Sequence, residues 1–129
     1  MKFAIVVHGA PYSSESSLSA LHFARAVRKQ GHELYRVFFY HDGVQNGSAL
    51  MAPPQDEPDI GAGWQTLAED GAELVICIAS SLRRGVLDRA EADRYEKAGG
   101  NLSAGFAISG LGQLIDAALT ADRVVTFGA

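Results

Sequence analysis

The strongest constraint in this chain is the regular exchange between short apolar runs and longer amphipathic stretches, punctuated by Gly, Pro and Ser. Lys2 to Val7 (KFAIVV) is almost wholly apolar, the pattern of a strand covered on both faces. The Gly, Pro and Ser cluster from Gly9 to Ser17 makes a loop with several candidate N-caps. From Ser17 to Gln30, Leu18, Leu21, Ala24 and Val27 recur at helical spacing, and Gly31 supplies a stop. Leu34 to Tyr40 (LYRVFFY) is aromatic and branched and reads as a second strand. His41 to Pro58 is polar, and Pro53, Pro54 and Pro58 forbid a regular element at its end, so it reads as a long loop.

The alternation continues beyond it. A short helix over Ile60 to Glu69 carries Trp64 and Leu67 on one side, and Glu73 to Ala79 (ELVICIA) is the most apolar strand candidate. A loop SSLRRG follows, then a charged helix over Asp88 to Ala98, a strand over Phe106 to Ser109, a helix over Gln113 to Ala121 and a last strand over Arg123 to Phe127. Such alternation predicts an α/β fold: a parallel sheet of about five strands with helices on both faces, in flavodoxin-like layering. Ligands and chemistry then belong at the carboxyl ends of the strands, where His8, His41, Ser80 and Ser109 fall.

Composition narrows the function classes. A chain of 129 residues fits one domain spanning 1–129, because neither half would have an adequate core. A net charge of -4 argues against broad nucleic-acid binding, which needs clustered Lys and Arg. The opening MKFAIVVHGAPY is too short in apolar residues for a signal peptide, and no window reaches a membrane span. The expected compartment is the reducing cytoplasm, where the chain's 1 cysteine survives as a thiol.

That cysteine, Cys77, is the leading candidate for chemistry. A lone cysteine most often packs as a small hydrophobe, so position alone does not make it reactive. A reactive thiol needs exposure and support for its thiolate. Arg83 and Arg84 could supply positive charge, and a helix after their loop could present free N–H groups; solvation or pairing with Asp88 is the commoner role for such arginines. The 4 histidines, His8, His22, His32 and His41, lack the i, i+4 spacing of a helical metal site, and no metal is expected. No G-x-S-x-G elbow supports a serine hydrolase. Ser109-Gly110-Leu111-Gly112 has Ile115 where a dinucleotide fingerprint needs a third glycine, so those glycines are expected to serve a tight turn and close helix packing. The Ser-rich loop after the first strand could cradle a phosphate, though helix capping explains it equally.

The opening KFAIVVHGAPY, the segment GHELYRVFFYHDGVQN, the run ICIASSLRRG and the ending ISGLGQLIDAALTADRVVTF together resemble the DsrE/TusD subunits of sulfur-relay complexes, from Met1 to Phe127. The strongest part is a cysteine followed closely by L-R-R-G, here Cys77 and Leu82 to Gly85. The resemblance implies a sulfurtransferase that carries a persulfide on Cys77, loaded by a TusA-type donor and unloaded onto a TusE-type acceptor, with no cofactor. It implies TusB-like and TusC-like partner subunits in a heterohexamer, a dimer of heterotrimers. The end use is 2-thiolation of the tRNA wobble uridine in the TusD branch and sulfur-oxidation trafficking in the DsrE branch. Arg83 and Arg84 match the family's basic pair, with thiolate support or docking as their inferred role. The segment 41–58 is the expected docking surface. A non-catalytic assembly module and a small-molecule binder are the alternatives.

Overall fold

The computed structural model describes residues 1–128. The strands β1 (Lys2–Val7), β2 (Glu33–Phe39), β3 (Leu74–Cys77), β4 (Phe106–Ser109) and β5 (Arg123–Phe127) form one parallel sheet in the order β4-β3-β2-β1-β5. Helices α1 (Ser16–Lys29), α2 (Ile60–Glu69), α3 (Ile78–Arg84), α4 (Arg89–Arg94) and α5 (Gly112–Thr120) connect them. From β1 to β4 the chain steps across the sheet in one direction, then α5 returns it past β1 to β5. Right-handed crossovers therefore place α1 and α2 on one face and α5 on the other.

Strand alternation assigns the side chains to these faces. Phe39 meets Trp64 of α2 edge-on, with ring centroids 5.0 Å apart, and Phe23 of α1 packs on Phe3 and Phe127. This face holds the main core, including Ile5, Val7, Leu21, Val37, Trp64, Leu74 and Ile76, each at most 1% exposed. Truncating a fully buried aromatic such as Trp64 to alanine costs about 3–5 kcal/mol in comparable cores. On the other face Arg36, buried in the middle of β2, donates to the Gln113 carbonyl and pairs with Asp116 of α5 and with Glu73. One central-strand guanidinium thus fixes α5 to the sheet.

Five expectations are corrected. β3 ends at Cys77, not Ala79, so Val75 and Cys77 share a face but Ala79 is helical. The SSLRRG stretch is α3 rather than a loop, closed by Gly85 in the left-handed conformation at φ 73°. The segment 41–58 is not loop throughout: His41–Gly47 forms a 3-10 helix whose Val44 and Asn46 are fully buried. It lies so close to β1 that a Cβ on Gly43 would come within 2.0 Å of the Val7 carbonyl oxygen. The charged helix is short, and Glu96, at φ 56°, follows its end. A Cβ at Gly110 or Gly112 would meet nothing within 4 Å, so close packing does not explain those glycines.

Candidate active site

The carboxyl end of β3 passes into α3 without a connecting residue, and Cys77 is both the last strand residue and the N-cap position. Four consecutive buried residues, LVIC, make the strand. The thiol residue is 2% exposed and makes no cap hydrogen bond. Beside it on β4 lies Ser109, its register partner. The chain leaves β2 one strand further on, where Tyr40 follows Phe39, the neighbour of Ile76.

The two arginines sit at the far end of α3. Six and seven residues past Cys77, at about 1.5 Å of rise each, they begin roughly 9–10 Å from it along the helix. Arg84 donates from Nε to Asp42 at 2.7 Å and from a terminal nitrogen to the Ser80 carbonyl. Its charge is therefore engaged by the 3-10 segment, and not by Asp88, which instead caps α4 by accepting from the Glu91 N–H. Arg83 is exposed and lines an apolar-edged groove of about 350 Å³ with Leu82, Leu87, Tyr95 and Lys97. The structure separates the basic pair into a tie and a groove residue. α3 holds to the 3-10 segment at a second point, where the His41 N–H donates to the buried Ser80 Oγ at 3.1 Å.

Two of the 4 histidines, which lack the spacing of a metal site, meet at the strand ends. The His8 and His41 rings lie 5.3 Å apart, and His41 stacks on Tyr40 at 4.0 Å with planes 8° apart. Burial, then the neighbouring His41, holds the His8 imidazole below its ordinary pKa. The only signal for this in the sequence was that each residue follows a strand. No group of three or more potential metal ligands occurs among the described residues. Ser80 is bonded to the His41 backbone rather than to an imidazole, so no serine–histidine pair forms there. The serines after β1 bond one another and the Gly9 carbonyl, and the adjoining cavity carries Glu15 and Glu57, an environment unsuited to phosphate.

The five-stranded parallel sheet in the order β4-β3-β2-β1-β5, with helices on both faces and the cysteine at a strand end, defines a small layered α/β domain. The chain belongs to the DsrE/DsrF-like family, whose profile matches residues 1–127. It is 52% identical over 128 residues to sulfurtransferase TusD of Enterobacter sp. strain 638, covering 98% of this chain and 100% of that protein. It is 49% identical over 129 residues to the DsrE protein of Allochromatium vinosum, covering 99% of each. Among solved structures it is similar to the YchN protein of E. coli, with a TM-score of 0.83 and 29% identity over 98% of this chain and 99% of that one.

Proposed function

We propose that this chain is the persulfide-carrying subunit of a sulfur-relay sulfurtransferase, with Cys77 as the carrier thiol. The observation that carries the reading is the place of Cys77: the only cysteine, at the carboxyl end of a parallel strand, in a chain 52% identical to a named sulfurtransferase. Its thiolate attacks the terminal sulfur of a donor persulfide, the donor thiolate leaves, and a second exchange delivers the sulfur to an acceptor cysteine. A TusA-type donor and a TusE-type acceptor fit this role, with 2-thiolation of the tRNA wobble uridine as the end use and sulfur-oxidation trafficking as the alternative. The reducing cytoplasm is the compartment in which such a thiol recycles; no described helix is long and apolar enough to cross a membrane.

At 2% exposure Cys77 must be uncovered for transfer. The movable cover is α3, seven residues long and tied to the 3-10 segment through Ser80 and Arg84. Arg83, beside Tyr95 and Lys97, serves docking rather than thiolate support. The rest of the expected docking segment, 48–58, remains available to donor or acceptor. TusB-like and TusC-like subunits find an apolar stripe along α5 and the residue before it: Leu111, Ile115 and Leu119 are 46%, 60% and 83% exposed, with Val124 of edge strand β5 at 43%.

The same 2% exposure favours a second reading, in which Cys77 is packing and the chain is an assembly subunit. Labelled sulfur followed from a loaded donor to an acceptor protein separates the two. The carrier reading requires transfer with wild type and none with Cys77→Ser; equal transfer with both supports the assembly reading.

A further inference from the structure

The cysteine does not stand alone at its end of the sheet. Phe39 pairs with both Ile76 and Val7, and the Tyr40 backbone N–H donates to the Val7 carbonyl, so the next residues, Cys77, Tyr40 and His8, follow one another along the carboxyl ends of β3, β2 and β1. Adjacent strands lie about 4.8 Å apart, and alternation turns all three side chains to the same face. His8 meets the Tyr40 ring edge-on at 5.8 Å, and the stacked His41 ring covers Tyr40 from the other side of the turn.

His41 is marked by three further observations. It is exposed; its backbone sits in the left-handed region at φ 50°; and its N–H is bonded to Ser80, three residues past Cys77. A non-glycine residue held in that region costs energy, and such strain gathers at functional sites. The surrounding structure thus holds an imidazole at the solvent side of the strand ends that carry the thiol.

We propose that His8 and His41 form the proton carrier of sulfur transfer at Cys77. This rests on the carrier reading above. Loading converts Cys77–SH and a donor R–S–SH into Cys77–S–SH and R–SH. His8 stands two strands from Cys77, so the Cys77 proton passes to the imidazole pair through water admitted when the cysteine is uncovered; the thiolate forms a bond to the outer donor sulfur, the donor S–S bond breaks, and the imidazolium returns the proton by the same route to the leaving R–S⁻. Burial, then the neighbouring His41, lowers the His8 pKa and so favours its neutral imidazole, the form with a free ring nitrogen. The charged and titratable groups around the pair are Tyr40 on β2, Asp42 in the 3-10 segment and Arg84 on α3, the last two paired with each other. At the end of β5, the Phe127 carbonyl accepts from the His8 backbone N–H.

The test is the rate of Cys77 loading by glutathione persulfide as a function of pH, read by intact mass. Wild type is compared with His41→Asn, which tolerates the left-handed backbone, with His41→Gly and with His8→Gln. Each variant should load at least about tenfold more slowly at pH 7 and lose the histidine limb of the pH profile, while its thermal midpoint stays near wild type. Added imidazole should restore part of the rate to His41→Gly. Wild-type rates and an unchanged pH profile in the His41 and His8 variants, with wild type loading normally, would overturn the proton-carrier assignment alone. A uniform loss of rate with an unaltered pH profile and no imidazole rescue would equally overturn it, leaving the histidines as packing. If wild type itself takes up no sulfur, the carrier reading fails and this proposal falls with it.

Discussion

Arg84 and Asp42 form an ion pair at 2.7 Å that joins the helix following Cys77 to the 3-10 segment following β2. The pair is part-exposed, Arg84 at 27% and Asp42 at 67%, so it contributes only about 0–1 kcal/mol. Its consequence is local. Asp42→Ala should leave the global unfolding midpoint almost unchanged but loosen α3 over the thiol. Iodoacetamide should then label native Cys77 several-fold faster than in wild type. Equal labelling rates would mean that α3 does not gate the cysteine.

Asn46 makes the opposite prediction, a large global loss. Fully buried, its amide nitrogen donates to Ser17 Oγ and the Gly43 carbonyl, and its oxygen accepts from Trp64 Nε1. Asn46→Ala strands the indole N–H in the core, at about 1–3 kcal/mol for an unsatisfied buried group, and removes the bonds to Ser17 and Gly43. Urea denaturation should show a loss of roughly 2–4 kcal/mol, since the network links three elements.

The layering and the strands were legible because continuous apolar runs and Gly stops are local signals. β1, β2, β4 and β5 fall within a residue of the expected positions. The junction at Cys77 was not legible: ELVICIASSL is apolar or small throughout, and periodicity cannot separate a short buried strand from a short buried helix. That one boundary decides whether Arg83 and Arg84 lie in a loop near the thiol or at the far end of a helix. The 3-10 segment was hidden by HDGVQNG, whose turn residues bury themselves only because Gly43 lets the backbone approach β1. The His8–His41 contact and the Arg36–Asp116 pair depend on the strand order, which no local pattern encodes.

Acid should weaken the sheet–α5 contact. Hydrogen bonds from Tyr35, then Arg36, hold the Asp116 carboxyl below the usual carboxylate range. The folded chain therefore takes up this proton less readily than the unfolded chain. The stabilisation is complete above the unfolded value, about 4, and is lost as pH falls through the lower folded value. Between about pH 5 and pH 3 the urea midpoint of wild type should fall more steeply than that of Asp116→Asn. Parallel curves would contradict this.

The apolar stripe of α5 is predicted to matter for assembly and not for folding. Ile115→Lys together with Leu119→Lys should change stability by no more than about 1 kcal/mol, because each side chain is exposed. The double variant should fail to co-purify with TusB-like and TusC-like subunits that bind wild type. Undiminished co-purification would place the subunit contact elsewhere.

Sulfur carriage by Cys77 is read from intact mass after incubation with a persulfide-loaded donor, with and without reductant. Wild type should gain the mass of one sulfur atom, the gain should vanish on reduction, and Cys77→Ala should show none. No gain in wild type, with a native thiol that also resists alkylation, would contradict the account and leave Cys77 as a residue of the core.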